Sequence, residues 1–357
     1  MNVIDYIKKY GDYSFKEKSF NEVDNVILSL LSYINFSNIV SNNNRNKIRL
    51  EDAALDFLTT NSNTVIEDVP AVKDAIKVLK EVKSTKRYRD ILLYNYKYVS
   101  SDESQFSCVT FELSKKVVYV GFGGTDKLIS GWIEDAKMSY EYPVTAHINA
   151  IKYLNRYFMF NRKRIILGGH SKGGNIALVA ALECRKNIYK RILNVYSNDG
   201  QGLRKEDMLS PRYQDLDSKY VHICPYNSII GMLLYHDMYY ISVDSDKPVG
   251  FSHNVTSWQI DDDKFQTREV SKFSRILDEG FTKWLDKYSY KDKKEFVESV
   301  DKLLKDNGIV TIVDFKKNLK LVFEVAKAAK NMNPKVKEMT TELLKIIVSL
   351  NFENRFM

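Results

Sequence analysis

Apolar residues recur at helical spacing in the first 86 residues, so this section is predicted to be helical. In FNEVDNVILSLLSYINF, 20–36, apolar positions fall three and four residues apart, which is the period of a helix that buries one face. Ser19 and Glu22 have the spacing of a capping box and predict the start of that helix. Asparagines in SNNNRNK, 41–47, predict a loop. Pro70 predicts the first turn of a second helix, AVKDAIKVLKEVK.

Residues 87 to 264 alternate between short apolar runs and helical periods. The predicted strands are DILLYNYKYV (90–99), SCVTFEL (107–113), KVVYVGF (116–122), RIILGG (164–169), RILNVYSN (191–198), KYVHICP (219–225) and MYYISVD (238–244). The predicted helices are SGWIEDAKMSY (130–140), TAHINAIKYLNRYFMF (145–160) and the run after Ser171. Such alternation predicts a mostly parallel sheet with helices on both faces.

Beyond Lys264 the pattern is helical only. Two apolar stripes are predicted: Phe296, Val300, Leu303 and Leu304, and then Val336, Met339, Leu343, Ile347 and Leu350. The expected fold class is therefore α/β, with a sheet domain over 1–264 and a helical cap or extension over 265–357. Within the sheet domain we expect a helical part, 1–86, and a sheet core, 87–264. A separate partner-binding module is the alternative for the tail.

Composition and charge narrow the class of protein. Apolar residues make up 44% and aromatic residues 12%, which supplies a large core and excludes a disordered chain. The net charge is +8, and residues 265–357 hold 19 Lys and Arg against 14 Asp and Glu, with the signs interleaved. This distribution predicts a solvated helix surface and no nucleic-acid partner. A weak association with anionic membrane surfaces through these basic helices is a further expectation, and the oligomeric state is left open.

Targeting and cysteine patterns favour a cytoplasmic protein. The sequence shows no signal-peptide pattern and no apolar run of the roughly 18 to 20 residues that span a bilayer. Cys108, Cys184 and Cys224 are far apart and lack CxxC spacing, so neither a metal site nor a disulfide framework is predicted. No metal or cofactor is expected.

Four of the 15 glycines lie in one stretch, RIILGGHSKGGNIALVAAL, 164–182. Gly169, His170, Ser171, Lys172 and Gly173 form a G-x-S-x-G sequence between a predicted strand and a predicted helix. Glycines two residues before and after the serine remove side chains that would collide in a sharp strand-to-helix turn. Such a turn exposes the serine oxygen, and the helix after it directs N–H groups to a developing oxyanion. The alternative without a function is a glycine turn that only allows the helix to pack against the strand.

A second glycine turn precedes the serine in the chain. The predicted strand KVVYVGF leads into Phe122-Gly123-Gly124-Thr125-Asp126. The backbone N–H of Thr125, with a contribution from its hydroxyl, is expected to stabilise an oxyanion together with the backbone N–H of Lys172.

These motifs resemble a known arrangement. Two motifs are similar to those of class 3 lipases, which have an FRGT-like oxyanion loop and a GHSxGG elbow. In this sequence they are FGGTD, followed by a helix with Trp132, Ile133 and Asp135, and then GGHSKGGNIA. Gly123 stands where the FRGT-like loop has arginine. The sequence resembles more closely an uncharacterised bacterial family of lipase-like α/β hydrolases, a domain of unknown function. The segments that carry this resemblance are FNEVDNVILSLLSY (20–33), the FGGTD loop, GHSKGGN, SNDGQG (197–202), SIIGMLL (228–234) and SHNVTSW (252–258). The resemblance covers roughly residues 1–262 and implies an α/β-hydrolase fold.

A catalytic serine needs a histidine base and an acid, which follow it in this fold in the order serine, acid, histidine. Of the later histidines, His222 lies inside a predicted strand and is expected to be a satisfied core residue, and His236 is expected on a helix end or surface turn. His253, in a loop after the last strand, is the favoured base. Asp199, on a glycine-rich loop, is the favoured acid, because the alternative position offers Asn227 and Ser228 but no carboxylate. Two further aspartates, Asp244 and Asp246, remain alternatives for the acid.

The expected function is a serine hydrolase that cleaves an ester bond, acting on an acyl lipid or another acyl ester. Ser171 is predicted to attack, His253 to transfer the proton and Asp199 to orient the imidazole. The preference for lipid is what the resemblance implies, together with apolar segments such as SIIGMLLYHDMYY. The other two histidines, His147 and His170, are expected to support packing or loop geometry. The alternative is a non-catalytic lipase-like scaffold that binds a protein or lipid partner.

Overall fold

The computed structural model describes residues 1–61, 69–311 and 333–353, with side chains described as far as residue 346. The helices are α1 Val3–Tyr10, α2 Glu22–Leu31, α3 Leu50–Thr60, α4 Pro70–Val82, α5 Ile129–Lys137, α6 Thr145–Phe158, α7 Lys172–Glu183, α8 Lys186–Tyr189, α9 Pro211–Leu216, α10 Lys272–Lys287, α11 Tyr290–Asp306 and α12 Pro334–Glu353. The strands are β1 Ile48–Arg49, β2 Leu92–Ser100, β3 Gln105–Glu112, β4 Val117–Phe122, β5 Arg164–His170, β6 Ile192–Asn198, β7 Tyr220–Pro225, β8 Tyr240–Val243, β9 Ile260–Asp261 and β10 Lys264–Phe265.

One eight-stranded sheet organises the fold, and its strands lie side by side in sequence order, β1 to β8. The first four strands pair antiparallel, whereas β4 to β8 pair parallel through helical crossovers. This is the α/β-hydrolase fold that the resemblance implied, with the mostly parallel sheet that the alternation predicted, and all seven predicted strands are present. The short strand β1 was missed because its two residues are too few to show alternation, and so was the small hairpin of β9 and β10.

Each face of the sheet is covered by a different set of helices. Tyr119 and Ile166 face the core that the N-terminal helices α1 to α4 cover. Their neighbours along the strands, such as Val118 and Leu167, face the opposite core against α6 and α7. Since successive strand residues point to opposite faces, strands with helices on both sides are apolar throughout. The N-terminal helical section is therefore one of the two layers that cover the sheet.

The start of α2 corrects the predicted capping box. The N-cap is Asn21, whose side chain accepts from the N–H groups of Val23 and Asp24, and Asp24 completes the box. The prediction of Ser19 and Glu22 was wrong by two residues, because Asn and Asp satisfy the same hydrogen bonds. Pro70 does begin α4 as predicted.

A buried ion pair joins α2 to the segment after α4. The Arg87 guanidinium donates from Nε to Asp24 Oδ1 at 2.7 Å, and the Tyr88 hydroxyl donates to the same oxygen at 2.6 Å. Both charged side chains are fully buried. Removing either partner would leave an unpaired buried charge, so this contact holds α2 against the segment between α4 and β2.

The helices after residue 264 pack beside the carboxyl end of the parallel strands. Trp284 and Leu285 of α10 and Met339 of α12 are buried in the core on the α7 side, and Val297 of α11 packs on Ile133 of α5. Two residues predicted for the last apolar stripe, 347 and 350, lie outside the described side chains. The division into domains at residue 264 stays a proposal. No helix in the described part of the chain is both long and apolar enough to cross a membrane.

Candidate active site

Ser171 lies on a sharp turn between β5 and α7. Its backbone has φ 58° and ψ −132°, a left-handed conformation that is rare for a residue with a Cβ atom. A Cβ atom on Gly169 would lie 2.3 Å from the backbone of Gly173, and one on Gly173 would lie 2.2 Å from the carbonyl oxygen of Phe122. Both glycines are therefore required by close backbone packing, as predicted from the G-x-S-x-G sequence.

Asp199 and His253 are hydrogen-bonded to each other. Asp199 directly follows β6, and His253 lies in the loop between β8 and a short 3₁₀ turn, Val255–Ser257. The Nδ1–H of His253 donates to Asp199 Oδ2 at 2.6 Å. The carboxylate thereby fixes the tautomer and leaves the other ring nitrogen, Nε2, able to accept a proton.

Donors from one loop hold the Asp199 carboxylate in place. Oδ1 accepts from the hydroxyl of Ser228 and from the N–H of Gly231 at 3.0 Å. Asp199 is fully buried, so these bonds replace the water that an exposed carboxylate would have. The two alternative acids are elsewhere: Asp244 pairs with Arg268 at 2.9 Å, and Asp246 is exposed. The position after β7, where an acid was also considered, holds Ser228 in place of a carboxylate. The Ser228 hydroxyl binds Asp199, the favoured acid.

His170 supports the backbone of the histidine loop. Burial lowers the pKa of His170 to about 3, so the ring is neutral. Its Nε2–H donates to the carbonyl oxygen of His253 at 2.8 Å, and its Nδ1 accepts from the Tyr33 hydroxyl at 2.9 Å. The indole of Trp258 also donates to the carbonyl of Ser252 at 2.8 Å. Two buried rings therefore anchor the loop on either side of the His253 imidazole.

The glycine turn after β4 packs against the Ser171 turn. A Cβ atom on Gly124 would lie 2.7 Å from the carbonyl oxygen of His170, and Thr125 lines the same cavity as Ser171. The Thr125 hydroxyl donates to Asp135 Oδ2 at 2.8 Å. The proton of this hydroxyl is thus engaged by Asp135, and the backbone N–H of Thr125 remains the predicted donor to an oxyanion.

The side chain of Lys172 forms a buried ionic cluster that the sequence did not reveal. Its Nζ lies 2.7 Å from Glu134 Oε2 and 3.6 Å from Asp135 Oδ1, and the Lys172 and Glu134 side chains are each 1% exposed. Burial tends to raise the pKa of Glu134, but the Lys172 charge and several donors outweigh it and hold the pKa below its ordinary value. Burial raises the pKa of Asp135 to about 6, against the lowering effects of Lys172 and Thr125. The cluster joins α7 to α5 beneath the Thr125 loop.

Asn198, the last residue of β6, links the α2 helix to β5, the strand that carries the serine. It donates from Nδ2 to the carbonyl of Gly169 on β5 at 3.0 Å and to Ser29 Oγ on α2 at 2.8 Å. Asn25 of α2 donates to Asn198 Oδ1 at 2.8 Å. Since all three polar side chains are buried, Asn198 connects the N-terminal layer to the backbone just before the Ser171 turn.

The remaining histidines lie away from Ser171. His147 is buried and its Nε2 bonds Asn175 Oδ1 at 2.6 Å, in accord with a packing role. His222 is 1% exposed, and its two ring nitrogens have no hydrogen-bond partner in the described part of the chain. Its ring stacks on that of His236, with centroids 4.7 Å apart. His222 is therefore a core residue as expected, but it is not satisfied. His236, expected on a helix end or surface turn, is half-buried in a loop.

Two cavities meet at Ser171. One of about 250 Å³ lies between the Ser171 turn and the C-terminal helices, with Phe281, Val297 and Leu343 among its walls. The other, of about 370 Å³, contains His253 and Thr125. Across the residues described, no group of three or more His, Cys, Asp and Glu side chains is arranged to hold a metal ion.

The fold and this arrangement define the class of protein. A serine on a left-handed strand-to-helix turn in a mostly parallel sheet, with an aspartate and a histidine on loops after later strands, is the layout of the α/β hydrolases. Within that class, a family model described as Mbeg1-like matches residues 82–302, more than half of the sequence. The chain therefore belongs to the Mbeg1-like family. The match extends past residue 264 into α11.

Two solved lipase structures are similar to this chain. The crystal structure of M37 lipase matches 60% of this chain and 70% of its own, at 14% identity and a TM-score of 0.38. A fungal lipase–inhibitor complex matches 67% of this chain and 80% of its own, at 14% identity and a TM-score of 0.35. At 14% sequence identity, neither similarity is evidence for the reaction chemistry of this chain. No curated protein matches the sequence.

Proposed function

We propose that the protein is a serine hydrolase that cleaves the ester bond of an acyl lipid or another acyl ester. Ser171 attacks the carbonyl carbon, His253 accepts its proton, and Asp199 orients the imidazole and stabilises its charge. The backbone N–H groups of Thr125 and Lys172 stabilise the oxyanion. The observation that supports the proposal most is the 2.6 Å hydrogen bond between His253 Nδ1 and Asp199 Oδ2, beside a cavity that His253 shares with Ser171.

The conformation of Ser171 adds weight to the proposal. A left-handed serine costs on the order of 1–3 kcal/mol and persists only where the surrounding structure enforces it. Here two glycines and a hydrogen bond from the Ser171 N–H to the Asn198 carbonyl, at 2.9 Å, hold the turn. The serine is also the N-cap of α7 yet makes no side-chain capping bond, so its hydroxyl does not serve the usual structural purpose of an N-cap serine.

Turnover of p-nitrophenyl butyrate tests the proposal. We expect ester hydrolysis by the native protein and its loss, by at least 10³-fold, in Ser171→Ala. The matched control is Ser218→Ala, which changes an exposed serine before β7 and should leave turnover unchanged. If Ser171→Ala hydrolyses the ester as fast as the native protein, the proposed nucleophile is wrong. If the native protein hydrolyses no ester, the non-catalytic scaffold is the better account.

A further inference from the structure

Ser171 stands at the boundary of two cavities with different walls. The 250 Å³ cavity is walled by α5, α10, α11 and α12, together with the segment after β7. The 370 Å³ cavity is walled by the start of α4 and by the loop that carries His253. Trp132 lines both cavities together with Ser171, and these are the two residues that the walls share within the described part of the chain. Any ester bound at Ser171 therefore has two directions open to it.

The position of His253 decides which half of an ester takes which direction. In this chemistry the imidazole removes the serine proton and then gives it to the departing alkoxide. The alcohol must therefore leave within reach of His253, which lines the 370 Å³ cavity and not the other. The acyl group is left with the 250 Å³ cavity beneath the C-terminal helices.

The walls of the 250 Å³ cavity suit a hydrocarbon chain. Four of its wall residues are polar, and the rest are apolar; the polar ones are Asp135, Ser139, Ser171 and Gln201. At about 30 Å³ for each water-sized group, the volume of about 250 Å³ holds on the order of eight carbon atoms. Burying an apolar chain of this length is favourable, because it removes hydrocarbon surface from water.

We propose that α10, α11 and α12 form a wall of an acyl-binding cavity that selects acyl chains of about eight carbons, while the alcohol departs on the His253 side. The inference rests on the proposed function. Ser171 Oγ bonds to the acyl carbon as the ester C–O bond breaks, and the serine proton passes through His253 to the alkoxide. Water then adds to the acyl carbon and gives a proton to His253, which returns it to Ser171 Oγ as the acid is released.

A pair of substitutions on α12 tests the cavity. Leu343 lines it, whereas the next residue, Leu344, is 55% exposed. Kinetics are measured with p-nitrophenyl acetate, butyrate, octanoate and laurate. For the native protein we expect the highest kcat/KM with octanoate. Leu343→Trp should lower kcat/KM for octanoate at least tenfold and change that for acetate less than twofold, and Leu344→Trp should follow the native protein.

A widened cavity and a binding assay provide independent readouts. Phe281→Ala enlarges the cavity from α10 and should move the optimum from octanoate toward laurate, which decides the question even if Leu343→Trp fails to fold. Heptylboronic acid, whose boron takes the place of the acyl carbon of octanoate, should bind Leu343→Trp at least tenfold more weakly than Leu344→Trp. Chain-length profiles that are the same in all four proteins, with turnover still dependent on Ser171, overturn the cavity and leave the proposed function standing. Failure of the native protein to hydrolyse any of the esters overturns both.

Discussion

Lys172→Met removes the only cation of the buried cluster beside the serine, as far as the described residues show, and leaves its two carboxylates in place. The Lys172 Nζ donates to Glu134 Oε2 at 2.7 Å and to the carbonyl of Gly131 at 3.3 Å, and it lies 3.6 Å from Asp135 Oδ1. Methionine keeps most of the side-chain volume and leaves the backbone N–H unchanged. The substitution therefore isolates the charge.

The expected cost follows from what remains around the carboxylates. Removing one partner of a buried ion pair typically costs about 3–5 kcal/mol of folding free energy. Glu134 retains three other donors, the Ser104 hydroxyl at 2.8 Å, the Gln105 N–H at 3.1 Å and the Ala146 N–H at 2.8 Å. Because these donors still stabilise the charge, we expect the lower end, about 3 kcal/mol.

Urea unfolding followed by tryptophan fluorescence at pH 7.5 measures the cost in Lys172→Met, Glu134→Gln and the double variant. The double variant should be more stable than the sum of the two single losses predicts, because Glu134→Gln removes one of the two carboxylates that Lys172→Met leaves without a cation. The control is Lys302→Met on α11, whose side chain is 75% exposed and pairs with Asp306; it should cost less than about 0.5 kcal/mol. A Lys172→Met variant within about 1 kcal/mol of the native protein, or strictly additive losses, would refute the reasoning.

Three further predictions concern the acid, the Ser171 turn and stability in acid. Asp199→Asn deprives His253 of its charged acceptor, so turnover of p-nitrophenyl butyrate should fall about 10³–10⁴-fold; an unchanged kcat contradicts this. Gly169→Ala places a methyl group 2.3 Å from the Gly173 backbone and should cost at least about 3 kcal/mol in urea unfolding. Burial lowers the pKa of four histidines, so below their ordinary pKa of 6.5 the unfolded chain binds protons that the folded chain does not, and stability falls as pH falls. They are His147, His170, His222 and His236. Asp135, with its pKa raised to about 6, opposes this by binding a proton in the folded state, and the net loss from pH 6 to pH 5 should be on the order of 3–4 kcal/mol, whereas an unchanged urea midpoint contradicts it.

The local features of the fold were predictable because they depend on short-range physics. The seven predicted strands follow from short apolar runs, and the G-x-S-x-G turn follows from its glycines. Both signals depend on residues that are close together in the sequence. Gly169 shows this most directly, since a Cβ atom there would meet the backbone of Gly173, four residues further along the same turn. The choice of Asp199 as acid also rested on local position, and the geometry places it against His253.

The contacts that support the site were not predictable, because they join distant parts of the chain. Lys172 was expected to act through its backbone, and nothing local shows that its side chain turns inward to meet Glu134, 38 residues away in sequence. The bond from Asn25 to Asn198 spans 173 residues. One signal could have suggested a buried acidic partner for Lys172. It is a basic residue at the start of a helix that is otherwise apolar or glycine-rich.

Covalent labelling of Ser171 tests the central claim most directly. The native protein, Ser171→Ala and Ser218→Ala are treated with a fluorophosphonate, and intact mass and peptide mapping locate the adduct. The account predicts one adduct per chain, on the peptide that contains Ser171, in the native protein and in Ser218→Ala, and none in Ser171→Ala. An unlabelled native protein, or labelling that persists in Ser171→Ala, would contradict it.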